Sequence, residues 1–151
     1  MGVLMRLSLR TDYAFRVLIH LAANPDTRVT IRAISTLHRI SHNHLMKVVH
    51  HLCLCGLVTG TRGRTGGIHL AMPPGHIMVG HVIRVMETQG EFMAGHAPSG
   101  NSRFLAADAR PLCHLTARAM DAFMAVLEDM SIQDLVGSPE LVRSVCAAGA
   151  A

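Results

Sequence analysis

The chain has few aromatic residues: one Tyr, four Phe and no Trp among 151 residues. Its core cannot be organised around large rings and must come from Leu, Val, Ile, Ala and ten Met. The unbranched members of that set are good helix formers, so a mainly α fold is expected. Long apolar runs are also lacking. None approaches the roughly 18 residues a membrane span requires. The apolar stretch behind the basic start is interrupted by Asp12, Arg16 and His20, which argues against a secretory leader. Arg6 stands where an N-acylation signal wants Ser or Thr. A soluble, cytoplasmic protein with no membrane partner is expected. The four cysteines, Cys53, Cys55, Cys113 and Cys146, form no C-x-x-C pair, and a disulfide framework is not expected without an export signal. There is no H-E-x-x-H, no P-loop, no Ser/His/Asp grouping and no carboxylate pair in a pocket pattern, so an enzyme is not expected.

What is present is segregated charge. Residues 1–88 hold ten Arg or Lys against Asp12, Asp26 and Glu87, a net +7, whereas residues 89–151 hold four Arg against seven acids, a net −3. A basic front and an acidic back point to a polyanion partner for the front. Solvated surface charge is the plainer alternative.

The front half reads as three helices and a hairpin. "LRTDYAFRVLIHLAAN" is a first helix, capped by Ser8 or Thr11, with Tyr13, Ala14, Val17, Leu18 and Leu21 inward. Pro25 stops it. "VTIRAISTLHRI" is a shorter helix capped by Thr30, with Ile31, Ile34 and Leu37 as its inward stripe. "SHNHLMKVVHHLCLCGLV" is a third, opened by Ser41 and ended by Gly56, with Leu45, Val48, Val49 and Leu52 buried. Two β-prone runs, 57–61 and 67–71, then flank the basic tip "RGRTG". This order is that of a winged helix-turn-helix. A fourth helix follows in "PPGHIMVGHVIRVME", with Val79, Val82, Ile83 and Met86 inward. Residues 89–109 lose periodicity, and a loop that long in a small protein is functional or disordered. Residues 110–130 regain it, with Leu112, Leu115, Ala119, Ala122, Phe123, Val126 and Met130 spaced by three and four, a stripe suited to a second copy of the same helix. "SIQDLV" reads as a capped helical turn. The expected division is a winged helix-turn-helix domain over 1–88, an effector-type loop over 89–109, a dimerisation helix over 110–136 and a flexible tail over 137–151.

In such a fold the second helix of the motif lies in the major groove, with its N-terminal side chains at base edges. Ser41, His42, Asn43 and His44 are the candidate readers there, and Asn pairs bidentately with adenine. Lys47, the sole lysine, is a phosphate contact. Arg62, Arg64 and Thr65 at the wing tip would reach phosphate or a narrow minor groove, which attracts guanidinium. Arg10 and Thr11, at the start of the first helix, add phosphate contacts. The plainer reading makes His42 a helix cap and Arg64 a solvated turn residue. A dimer would set two such helices one duplex turn, roughly 34 Å, apart on a palindromic operator.

Five stretches together ("LRTDYAFRVLIHLA", "ISHNHLMKVVHHL", "TRGRTGGIHLA", "VGHVIRVME" and "AFMAVLEDMSIQDLV") resemble the NsrR/IscR/RirA group of bacterial winged-helix regulators, the Rrf-two family, and most closely its NsrR branch. The resemblance runs from about Met5 to Val136. It implies a homodimeric repressor on palindromic DNA. It also implies, for many members, an iron–sulfur cluster on three loop cysteines, with an Asp near the start of the partner's first helix as fourth ligand. Here "GHAPSGNSR" fits the loop frame through Pro98 and Asn101, but Gly95 and Arg103 stand where two cysteines belong. Only Cys113 is recovered by sliding the frame, and Asp12 matches the fourth position. Gly has no donor and Arg brings a repelling cation. No cofactor is therefore expected. Alternatives are an iron–sulfur or nitric-oxide-responsive regulator with an unusual set drawn from Asp12, His96 or His114, and Cys113, or a small metal- or haem-binding enzyme using the eleven histidines.

Overall fold

The computed structural model describes residues 7–61, 63, 66–87 and 110–138, and of residues 110–113, 116 and 117 it describes the backbone alone. The fold is mainly helical with one antiparallel hairpin, as the residue pattern predicts. Arg62, Arg64, Thr65 and His96, the whole of the expected 89–109 loop and most of the tail lie outside the described residues, as do the side chains of Leu112 and Cys113.

Helix α1 spans Leu9–Ala23 and starts at Ser8, whose Oγ accepts the Thr11 N–H at 3.3 Å. It ends at Asn24, just before Pro25, with the Asn24 amide donating to the His20 carbonyl at 2.8 Å. Ala14, Val17, Leu18 and Leu21 are buried as expected, and Phe15 and Ile19 are buried as well. This helix has more than one covered side because the next three helices, the second strand and the last helix all pack on it.

Helix α2 spans Ile31–His38, with Thr30 Oγ1 accepting the Ala33 N–H at 3.2 Å. Of its expected stripe only Ile34 is fully buried, and Leu37 is 62% exposed. A three-residue step turns about 300°, so 31, 34 and 37 drift backwards by roughly 60° per step. The row that stays inward is Ile31, Ile34 and His38, and His38 takes the place expected for Leu37. The following turn is locked: Arg39 adopts φ +55°, and Ser35 Oγ donates to the Ile40 carbonyl at 2.7 Å while the Ile40 N–H donates to the Ser35 carbonyl at 3.0 Å. Helix α3, His42–Leu54, then buries Leu45, Val48, Val49 and Leu52. Ser41 occupies the cap position but makes no side-chain capping bond. Gly56 leaves the helix at φ +71°, a conformation that suits glycine.

Strands β1 (Val58–Thr61) and β2 (Gly67–Leu70) pair antiparallel, Val58 opposite Leu70 and Thr61 opposite Gly67. A single turn of 3₁₀ helix at Pro74–His76 leads into helix α4, Val79–Met86, which buries Val79, Val82, Ile83 and Met86. Helix α5 spans Arg110–Glu128 and helix α6 spans Ile132–Gly137. The segment 110–136 thus holds a long helix and, as "SIQDLV" predicts, a separate capped one. Ser131 and Asp134 form a reciprocal capping box that starts α6. The break is fixed by the Val79 N–H on the Met130 carbonyl (2.8 Å) and the Ile132 N–H on the Ile77 carbonyl (2.9 Å). Ile132 and Leu135, 0% and 5% exposed, complete the core of the first 88 residues beside α1.

Candidate nucleic-acid interface

The start of α3 presents Ser41, His42, Asn43, His44 and Lys47, all exposed, on the basic half of the chain. The period of the helix puts Asn43, Lys47 and His50 on the line opposite the buried Leu45–Val49–Leu52 stripe. Met46, 47% exposed, and His50 belong to the same outer surface but are not among the candidate contacts drawn from the pattern. An apolar side chain on an otherwise polar helix face was the available signal for Met46.

His51 is different. The residue pattern assigns it to the outer face, yet it is half-buried, with Nε2 2.8 Å from the Val85 carbonyl and 3.4 Å from Arg10 Nη2. A carbonyl can only accept, so Nε2 carries the proton there and the longer approach of the Arg10 donor is not a hydrogen bond. His51 ties α3 to α4. Arg10 itself is exposed at the start of α1.

Thr11 requires a correction. It is 0% exposed, and its hydroxyl donates to Glu87 Oε1, which also accepts the Ser8 N–H at 2.9 Å. A hydroxyl committed to a buried carboxylate cannot reach a phosphate. The small polar residue at a helix start looks the same in sequence whether it faces solvent or a buried acid 76 positions away.

Behind the locked turn, the rings of His20 and His38 meet edge to face with centroids 5.8 Å apart. His38 Nε2 is buried without a hydrogen-bond partner among the described residues. Burial pushes the pKa of both imidazoles below the ordinary value, and for His38 the neighbouring His20 and Arg16 add to it while Asp12 opposes. Neutral rings suit this site, since two imidazolium ions at that distance would repel.

The wing's arginines lie outside the described residues, but its base does not. Gly67 sits against the α1–α2 connection: a Cβ there would lie 2.8 Å from the Val29 carbonyl oxygen and 3.2 Å from Arg28 Cγ. The Ile68 N–H donates to that same carbonyl at 2.8 Å, and Arg28 Nε donates to the Gly66 carbonyl at 2.7 Å.

A second surface lies on α5. Leu115 and Val126, 62% and 70% exposed, fall in line with the exposed Ala119 and Ala122. Met124, 8% exposed, lies about 180° round the helix, and Leu127 and Met130 pack against the core. The expected stripe therefore divides. Leu115, Ala119, Ala122 and Val126 face outward, Phe123 is half-buried, and Met130 belongs to its own domain. The helix approaches α4 closely because residue 80 is glycine: a Cβ would lie 2.6 Å from Glu128 Cγ and 3.1 Å from the Glu128 nitrogen. Arg84 and Glu128 pair across the same contact.

Neither metal nor catalytic chemistry is assembled among the described residues. No three His, Cys, Asp or Glu side chains there are placed to hold a metal ion. Asp12 is engaged by Arg16 at 2.8 Å and is only 15% exposed. That pairing, with Gly95 and Arg103 at two frame positions of the loop, is a poor donor set for an iron–sulfur cluster. A cleft of about 300 Å³ between the end of α1 and β2 has one titratable side chain on its lining, His69, whose Nε2 is 2.7 Å from the exposed Thr59 Oγ1, and no carboxylate, thiol or amine lines it. No helix among the described residues is long and apolar enough to cross a membrane.

Comparison with known proteins agrees with this geometry. Residues 7–138 match the model of the Rrf2 family, described as an iron-dependent transcriptional regulator. The chain is 39% identical over 140 residues to the HTH-type transcriptional regulator NsrR of Bacillus subtilis, covering 90% of this chain and 93% of that one. It is 34% identical over 145 residues to the NsrR of Shouchella clausii, covering 93% and 95%. Among solved structures it is similar to CymR, the global cysteine regulator of B. subtilis, with a TM-score of 0.70 at 26% identity over 89% of this chain and 98% of that one. The IscR of T. potens shares the fold, with a TM-score of 0.69 at 23% identity over 87% and 86%. The chain belongs to the Rrf2 family: it is a DNA-binding helix-turn-helix transcriptional regulator of the NsrR type, and not an enzyme.

Proposed function

We propose that the chain acts in the cytoplasm as a homodimeric repressor of palindromic operators, and that it does so without an ordinary iron–sulfur cluster. His42, Asn43 and His44 read base edges, with Ser41 at their head. Lys47 and Arg10 contact phosphate, and Arg62, Arg64 and Thr65 carry the wing into the flanking groove. The observation that carries the reading is the exposed, polar start of α3 held on a basic half-molecule by the Ser35–Ile40 lock. Leu115, Ala119, Ala122 and Val126 join two copies: they form an exposed apolar row, at the three- and four-residue spacing of a helix pair, opposite the face that docks on the molecule's own core.

Cluster-free action is supported by chemistry: a single loop-region thiol, Cys113, an Asp12 committed to Arg16, and Gly95 and Arg103 in the loop. A second reading keeps a cluster on unusual ligands from Asp12, His96 and Cys113. It is favoured by the family's description as iron-dependent. One experiment separates them. The protein is purified without oxygen, its visible spectrum and iron content are recorded, its mass is measured in solution, and its binding to palindromes selected from random DNA is followed against salt. Colourless dimers that bind such DNA support the proposal. Brown protein with stoichiometric iron that releases DNA on nitric oxide supports the second reading. A monomer protecting one asymmetric half-site overturns both.

A further inference from the structure

A hairpin of four residue pairs is marginal by itself. A wing of that size does not hold a fixed angle to the recognition helix unless something outside the hairpin holds it. Thr61 Oγ1 accepts the Gly67 N–H at 3.2 Å, and the Gly66 N–H closes on the Gly63 carbonyl at 2.9 Å, but both bonds lie within the wing. Val58 and Ile68 seat the base of the hairpin in the core, and the tether nearest the tip comes from the connection between α1 and α2. There Val29, 3% exposed, accepts the Ile68 N–H, and the adjacent Arg28 donates from Nε to the Gly66 carbonyl at 2.7 Å. Two consecutive residues thus grip two nearby points of the returning strand, one buried and one at the edge of the tip. The next residue, Thr30, caps α2, the first helix of the DNA-binding motif. Gly67 has no side chain where a Cβ would strike the Val29 carbonyl, so the grip is as close as backbone contact allows.

We infer that Arg28 is a positioning residue for DNA binding: through the Gly66 carbonyl it fixes the wing relative to the helix-turn-helix, so that the wing and α3 engage one duplex together. The inference rests on the proposed use of α3 and the wing for DNA. Its guanidinium is exposed, so its charge and its hydrogen bond must be separated experimentally. Arg28→Lys keeps the charge and sets a methylene where Nε donates. Arg28→Met removes both.

The test is a double-mutant cycle on a palindrome selected with the wild-type chain, with Arg28→Met and Arg28→Lys each measured alone and in an Arg62→Ala, Arg64→Ala background. Each single variant should lose about three- to tenfold in affinity per half-site, the worth of one hydrogen bond in each subunit, with the thermal midpoint unchanged within about 2 °C, as for a surface substitution. In the wing-deficient background the same changes should cost nothing further, because there is no wing contact left to position. An equal loss in both backgrounds would make Arg28 a direct phosphate contact and overturn the inference. Full affinity in Arg28→Lys would assign the effect to charge and also overturn it, as would full affinity in Arg28→Met. Absence of any DNA binding by the wild-type chain would instead refute the DNA-binding reading itself.

Discussion

The buried contact between Thr11 and Glu87 makes a prediction sharp enough to decide what the start of α1 does. Thr11→Val replaces a hydroxyl by a methyl of the same size. The Glu87 oxygen keeps the Ser8 N–H at 2.9 Å but loses its second donor. Water cannot replace it, since Thr11 is 0% and Glu87 8% exposed. A hydrogen bond to a charged group contributes about 1.5–3 kcal/mol net. Valine also loses the weaker Ser8 Oγ to Thr11 Oγ1 contact at 3.1 Å. A destabilisation of about 2 kcal/mol follows, which for a chain of this length lowers the thermal midpoint by roughly 4–8 °C. The assay is thermal or urea unfolding at one fixed protein concentration, because a dimer's midpoint depends on it. Glu87→Gln, which keeps an acceptor but not the charge, should cost less. The double variant should cost less than the two singles together.

The second readout is DNA affinity at 25 °C, where the variant remains folded. Thr11 is buried, so affinity should stay within about twofold, the range expected when no interface group is removed. A midpoint unchanged within about 1 °C would refute the worth assigned to the Glu87 contact. A roughly tenfold loss of affinity without loss of stability would return Thr11 to the interface and refute its burial as the deciding fact.

Other consequences are equally concrete. Arg62→Ala with Arg64→Ala should weaken binding to all sequences alike and, with two arginines lost from each subunit of the dimer, reduce the slope of log affinity against log salt by about four; an unchanged slope removes the wing from the interface. Leu115→Glu with Val126→Glu places like charges along the outward row of α5 and should yield monomers at about micromolar concentration with the helical content intact, read by sedimentation and circular dichroism; persistent dimers would relocate the interface. Folding lowers the pKa of His20 and His38 from 6.5, so the unfolded chain binds more protons near that value. The stability they contribute is complete above the unfolded pKa and is lost as pH falls below it. The thermal midpoint should drop between pH 7.5 and 5.5, and less so in His38→Gln; an equal drop in that variant would place the titration elsewhere.

The helices were legible where a residue's environment depends on its own element. Ser8, Thr30, Pro25 and Gly56 mark helix ends by local backbone chemistry, and the inward rows of α3 and α4 follow from periodicity alone. The failures share a cause. A long apolar side chain outranks a histidine in any pattern, which favours Leu37 as the inward residue, but Leu37 lies roughly 60° from the buried Ile34 and outside the covered arc, whereas His38, roughly 40° from it, meets His20 of α1. The local pattern turns Thr11 and His51 outward because their partners, Glu87 and the Val85 carbonyl, lie far along the chain. Gly67 falls in a β-prone run and Gly80 in a helical one, where glycine has no local purpose. Their function is close approach to Val29 and Glu128, which no local pattern encodes.

The same long-range contacts determine how rigidly the two proposed surfaces are joined. In a helix-turn-helix dimer the distance between recognition helices sets the spacing of half-sites. That distance is defined only if the linkage from the joining helix to α3 is stiff. Here the linkage has two parts. Helix α5 lies against α4 at Gly80, reinforced by the exposed Arg84–Glu128 pair, and α6 returns the chain to the core through Ile132 and Leu135 beside α1. The ion pair contributes little, being 58% and 43% exposed. The stiffness therefore resides in the glycine contact and in α6. Gly80→Val, whose side chain has no room against the Glu128 backbone, should spare the α1–α3 core. Its penalty should fall chiefly on paired half-sites of fixed spacing and little on a single half-site.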